Sequence, residues 1–163
     1  MDAVTFQTEA LKLEKLLYHI SWSMLGDNED CADAVQEALL KAWQKRDTLK
    51  SMRTFRPWLT RILYNVCVDI LRSRKHLAQE PLDESALPAK PAAEADDDLH
   101  FALQALSAEQ RTATVLHYIQ GYKLKEIASM LGISLNTVKS RVMYARIHMK
   151  QEYLNSKHEG SGC

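Results

Sequence analysis

Apolar residues along this chain recur at helical rather than strand spacing. Leu59, Ile62, Leu63, Val66 and Ile70 fall on one side of a helix drawn at 100° per residue. Cys31, Val35, Ala38, Leu39 and Ala42 do the same on a second helix, with Trp43 at the edge of the stripe. Leu135, Val138, Val142, Ala145 and Met149 make a third stripe. Start and stop signals divide the pattern into elements. The spacing predicts a helix over Glu9–Leu25, ended near Gly26. A second runs to about Arg46 and can be capped by Asn28 or Asp30. A third carries Pro57 in its first turn and runs to about Arg74. Further on, a short lead-in from Leu99 precedes helices over Glu109–Gln120, Leu124–Leu131 and Leu135–Tyr153, punctuated by Gly121 and Gly132. The expected fold class is all-α.

The segment HLAQEPLDESALPAKPAAEADDD, residues 76–98, breaks this pattern with three prolines and seven acids. Its large apolar residues are only Leu77, Leu82 and Leu87, so it reads as an extended linker. The expected organisation is a helical domain over 1–76, a linker over 77–98, a second helical domain over 99–155 and a tail over 156–163. Each domain is near the lower size limit for independent stability, so a partner covering its faces would help it.

Composition agrees with helices: 46% of the 163 residues are hydrophobic, and there are only 5 Gly and 4 Pro. No apolar run approaches the roughly 20 residues needed to cross a bilayer. MDAVTFQTEA does not resemble a signal peptide, so a cytoplasmic location without direct membrane insertion is expected. The three cysteines, Cys31, Cys67 and Cys163, include no C-x-x-C pair. Cys31 and Cys67 fall within helical patterns and read as small buried hydrophobes, with redox sensing as the other reading. No His or Cys pair has metal-ligand spacing and no glycine-rich loop is set up for phosphate. No metal, no cofactor and no enzymatic activity are therefore expected.

Charge changes the picture more. The chain carries 21 basic and 21 acidic side chains, but they are sorted. Residues 1–76 hold 12 bases and 10 acids, residues 77–106 hold 1 base and 7 acids, and residues 107–163 hold 8 bases and 4 acids. Two basic blocks thus flank an acidic spacer, which keeps nucleic acid open as a partner. From Glu126 the chain runs to Lys150 without another carboxylate, while Lys139, Arg141, Arg146 and Lys150 remain. This stretch has the form of a helix-turn-helix. Ala128 is small where two helices approach, Gly132 suits a left-handed helix end, and Ser134 can cap the next helix. Opposite the apolar stripe of that helix lie Asn136, Thr137, Ser140 and Tyr144, flanked by Lys139 and Arg141. Donors, bases and one aromatic suit base edges and phosphates in a major groove, where a carboxylate would be repelled.

Two further faces carry chemistry. Opposite the core stripe of the third helix lie Arg61, Asn65, Asp69 and Arg72. Just upstream, Lys45, Arg46, Lys50, Arg53 and Arg56 surround Phe55 and Trp58. Bases interleaved with aromatics suit single-stranded nucleic acid, although Phe55 and Trp58 more often staple a helix start into a core. The outer side of the second helix carries Asp33, Gln36, Glu37 and Gln44 around Leu40. That face fits either a protein-binding surface or a solvated surface with one stray leucine.

Taken together, these segments resemble the bacterial extracytoplasmic-function sigma factors over about residues 9–153. DAVQEALLKAW is similar to that family's core-polymerase-binding segment, FRPWLTRILYNVCVDILRSRK to its promoter-melting helix, and LSAEQRTATVLHYIQGYKLKEIASMLGISLNTVKSRVMYAR to its C-terminal domain. The resemblance implies a protein that binds core RNA polymerase and directs it to promoters. Promoter DNA would be read as double-stranded −35 and melted −10 elements, and an anti-sigma factor, often membrane-bound, would hold the protein inactive. It implies that Asp33, Gln36 and Glu37 meet the polymerase, and the outer-face reading adds Leu40. Arg56, Trp58, Arg61, Asn65, Asp69, Arg72 and Arg74 would serve the −10 element. Asn136, Thr137, Lys139, Ser140, Arg141 and Arg146 would serve the −35 element, and the face reading adds Tyr144. The sequence departs from the family at Ala34-Val35, where larger aliphatics are common, and at Tyr144, where a His or another polar residue is common. The alternative is an autonomous helix-turn-helix activator, which has no need of the first domain's faces.

Overall fold

A computed structural model describes residues 1–77 and 102–160. The expected linker after Leu77, the start of the lead-in at Leu99 and the last three residues lie outside these. Every regular element among the described residues is helical, in two units.

In the first unit, α1 spans Ala3–Lys12, α2 Glu14–Leu25, α3 Asn28–Gln44 and α4 Phe55–Leu77. The single helix expected over Glu9–Leu25 is two helices. Asp2 caps α1 by accepting from the Thr5 N–H at 2.8 Å, which starts the helix at Ala3. Leu13 then breaks the run, with its N–H turned to the Ala10 carbonyl at 3.0 Å. The break lets α1 bury Phe6, whose ring centroid lies 5.3 Å from Trp43 and 5.8 Å from Phe55. α2 ends as expected at Gly26, whose φ of +64° is left-handed. The cap of α3 is Asp27 rather than Asn28 or Asp30, accepting from the Asp30 N–H at 2.9 Å.

α2, α3 and α4 pack against one another. The inner face of α3 is Cys31, Ala34, Ala38 and Ala42, all fully buried. The expected stripe put Val35 and Leu39 there, but both are only half-buried. Ala34 takes the central place because small residues let α3 approach the large side chains Leu59 and Leu63 of α4. Leu17 and Ile20 of α2 fill the other side of this core.

In the second unit, α5 spans Ala108–Thr114, α6 Leu124–Leu131 and α7 Leu135–Gly160, with one turn of helix at 102–104. Ser107 caps α5 through the Gln110 N–H at 3.2 Å. The helix expected to run straight to Gln120 widens into a π turn over Val115–Ile119, where the Gln120 N–H reaches back five residues to the Val115 carbonyl at 2.9 Å. α5 packs on α7. Leu116, Ile127 and Val138 are fully buried in its core. The Arg111 guanidinium secures the start of this unit by donating to the carbonyls of Leu103 at 2.8 Å and Leu106 at 3.0 Å. Burial holds its pKa below the ordinary arginine value. α7 continues past the expected end at Tyr153, into what the sequence reads as tail. No proline intervenes, and Lys157 lies 4.8 Å over the Tyr153 ring one turn earlier.

Candidate polymerase and promoter interfaces

The outer face of α3 is set by its inner one. Because Cys31, Ala34, Ala38 and Ala42 are buried, Asp33, Gln36, Glu37 and Leu40 are turned outward, and all four are exposed. Leu40 is 58% exposed. Glu37 pairs with Lys41 at 2.7 Å along the helix. The sequence-predicted polymerase residues therefore form one surface, with carboxylates and an amide around an apolar centre.

On α4, Arg56, Arg61, Asn65, Asp69 and Arg72 are exposed, and Trp58 is half-buried. Asp69 and Arg72 approach at 3.9 Å. Phe55 is 3% exposed and its ring sits between those of Phe6 and Trp58, so it belongs to the core. The stapled-helix alternative describes Phe55, while Trp58 keeps part of its ring in solvent. Arg46 lies 4.0 Å over the Trp43 ring and donates to the Trp43 carbonyl at 2.8 Å, so it braces the end of α3. Lys45, Lys50 and Arg53 remain exposed in the loop before α4.

Arg74 is the exception among the expected promoter residues. Its guanidinium donates to the Leu25 carbonyl at 2.9 Å and to the carboxylate of Asp30. The sequence treated Asp30 only as a possible cap. A pair separated by 44 residues leaves no periodic signal.

In the second unit, the turn between α6 and α7 is built from local signals. The Lys123 N–H donates to Glu126 at 3.0 Å, so the one acid of the stretch serves the start of α6. Gly132 has a φ of +69°, and the Ile133 N–H reaches the Ala128 carbonyl at 3.1 Å, closing a Schellman end. Ser134 then caps α7 by accepting from the Thr137 N–H at 3.1 Å, and the two hydroxyls lie 2.7 Å apart. Val138, Val142 and Ala145 are buried as expected, with Leu135 and Met149 half-buried. Asn136, Lys139, Ser140, Tyr144 and Arg146 are exposed, and Thr137 and Arg141 are half-buried. The residues expected to face DNA thus lie outside the buried stripe, and the Thr137 hydroxyl is already engaged with the cap. Among the described residues, no group of acids, His and Cys is placed to hold a metal ion, and no helix is long and apolar enough to cross a membrane.

Two stretches of the chain match family descriptions. Residues 11–77 match the family description of sigma-70 region 2, and residues 96–149 match that of sigma-70 region 4. The chain is 31% identical over 144 residues to the RNA polymerase sigma factor SigV of Bacillus subtilis, covering 85% of this chain and 87% of that protein. It is 35% identical over 159 residues to the ECF RNA polymerase sigma factor SigM of Mycobacterium tuberculosis, covering 95% and 81%. Among solved structures it resembles the sigma factor RpoE in complex with the anti-sigma factor NepR from Bartonella quintana. There the TM-score is 0.73 at 28% identity, covering 91% of this chain and 96% of that one. It also resembles CnrH in complex with the cytosolic domain of CnrY, with a TM-score of 0.68 at 25% identity, covering 95% and 90%.

Proposed function

This chain belongs to the extracytoplasmic-function RNA polymerase sigma factors of the sigma-70 family, and from that membership we propose a division of labour among its helices. The protein binds core RNA polymerase through the outer face of α3 and directs it to promoters. α4 and the loop before it meet the melted −10 element, and the first turns of α7 enter the major groove of the −35 element. An anti-sigma protein holds it inactive, a reading supported by its likeness to RpoE and CnrH, whose structures are complexes with NepR and CnrY. Polymerase supplies the chemistry of transcription, and this chain supplies position.

The observation that carries the reading is Leu40, exposed amid Asp33, Gln36 and Glu37 on the side of α3 opposite its alanine stripe. An exposed leucine ringed by acceptors fits an interface whose apolar centre dries on binding while the rim pairs with cations. Burying such a side chain contributes about 1.5–3 kcal/mol. On α7 the support is chemical: no carboxylate follows Glu126 until Glu152, so the groove-facing surface presents only donors and cations to phosphate.

The test is the paired reversal of Asp33 and Glu37 to Lys. Both side chains are exposed, so circular dichroism should show an intact fold while gel filtration with core polymerase shows no complex. Unchanged association would remove α3 from the interface.

A further inference from the structure

Asp69 and Leu77 of α4 line one open groove together with Asp30 and Glu37 of α3, over Val66 and Ile70. The groove encloses about 440 Å³. We propose that it is a continuation of the polymerase-binding surface, and that Asp69 acts there rather than at the promoter. Its occupant is an arginine or lysine beside an apolar side chain, carried on a helix of core RNA polymerase. The inference rests on the polymerase reading of α3 and extends it across the groove onto α4.

Charge selects this occupant. Arg74 also lines the groove, but its guanidinium is committed to Asp30 and to the Leu25 carbonyl. The lining charges that remain are Glu37 and Asp69, both negative. A phosphate backbone would be repelled from such a surface, and a cation is drawn to it. The carboxylates have partners now, Lys41 at 2.7 Å from Glu37 and Arg72 at 3.9 Å from Asp69. Both pairs are exposed and lie within single helices. Such pairs hold weakly, so an incoming cation can replace them.

Shape narrows the choice further. Val66 is buried, Ile70 is half-buried and Leu77 is 60% exposed, so the groove has an apolar lining beneath its acidic rim. A free metal ion gains nothing from that lining, whereas a side chain with an apolar stem and a cationic head fills both parts. The volume suits one or two side chains rather than a whole helix, as expected where a partner helix lays two residues across a seam. Glu37 belongs to both the α3 face and the groove wall, so one bound helix engages both.

The experiment compares Asp69→Lys and Asp69→Asn in the full chain with the wild type, using core RNA polymerase as the probe. Fluorescence anisotropy reads affinity for core, and transcription from a randomised −10 library at saturating core reads promoter preference. Circular dichroism checks the fold, and Asp69→Asn serves if the reversal unfolds the chain. Asp69→Lys is expected to weaken core binding on the order of tenfold or more, and Asp69→Asn to weaken it less, with the ranking of −10 sequences unchanged. Unchanged affinity overturns the proposal, whether or not the −10 ranking shifts. The paired reversal of Asp33 and Glu37 separates the two levels. If that pair also leaves binding intact, the polymerase reading of α3 fails. If the pair abolishes binding while Asp69→Lys does not, only the groove fails.

Discussion

Arg74 ties the end of α4 to the corner between α2 and α3, donating to the Leu25 carbonyl at 2.9 Å and to the Asp30 carboxylate. The Leu25 carbonyl belongs to the open end of α2, where the last carbonyls lack helical partners. One side chain therefore closes the end of α2 and fixes the first turn of α3.

A charge swap tests this latch. Arg74→Asp alone should destabilise the fold by about 1–2 kcal/mol, because both partners are partly exposed and the pair is screened. Adding Asp30→Arg should recover more than half of the loss in urea unfolding and restore transcription with it. If Arg74 instead contacted DNA, the double variant would regain stability and stay inactive.

How much of this was legible in the sequence follows from the range of each interaction. Gly132, Ser134 and the stripe of Val138, Val142 and Ala145 act within a few residues of one another, so spacing alone locates α7 and its outward face. The α3 outer face was equally legible, since fixing one side of a helix fixes the other. What spacing left hidden depends on contacts far along the chain. Phe6 finds Trp43 and Phe55, Arg74 finds Asp30, and the choice of Ala34 over Val35 for the core depends on how closely α4 approaches. Asp69 shows the same limit. Its place opposite the α4 stripe predicts exposure, but only the position of α3 gives it a carboxylate neighbour across a groove.

On α7, the proposed readout and anchoring and the observed cap fall on different residues. Asn136→Ala should leave stability unchanged and alter preference among −35 sequences. Arg146→Ala should weaken all promoters alike and reduce the salt slope by about one. Ser134→Ala should cost about 1 kcal/mol of stability by removing the cap. Thr137→Ala should combine a smaller loss of stability with altered preference. Transcription from a randomised −35 library, beside thermal unfolding, checks each. A changed preference in Arg146→Ala with none in Asn136→Ala would reverse the assignment.

Cys31 and Cys67 are fully buried, and burial raises both thiol pKa values, that of Cys67 to about 12. The folded protein should therefore resist labelling at these two thiols at pH 8, and both should react once urea unfolds it. The sign of the pH effect follows. Above the ordinary thiol value near 9 the unfolded chain releases protons that the folded chain keeps, so stability is full below pH 9 and falls as pH rises toward about 12. In Cys67→Ala this part of the fall should vanish, seen as a shallower loss of urea midpoint between pH 9 and 11. Rapid labelling of the native protein would instead favour a redox role.

The last expectation is that this chain selects promoters well only on polymerase. Between Leu135 and Lys150 the exposed cations of α7 are Lys139, Arg146 and Lys150, with Arg141 half-buried beside them. Neutralising on the order of four phosphates gives a salt slope near −3.6, so raising salt from about 50 to 200 mM costs roughly two orders of magnitude in affinity. In the proposed division of labour each unit offers one helix to DNA, and the sequence has no heptad seam with which a second copy would double the contacts. With α3 seated on polymerase, the −10 and −35 surfaces are presented together, and the second engages at high effective concentration once the first has bound. The gain therefore comes from geometry rather than from new contacts to bases. Fluorescence titration of double-stranded promoter DNA at physiological salt should show weak binding with little sequence preference for the isolated chain, and clear preference once core is added. Removing the α3 contacts by reversing Asp33 and Glu37 should abolish the gain while leaving the weak binding intact. Tight, promoter-specific binding by the isolated chain would refute this and favour an activator that acts on its own.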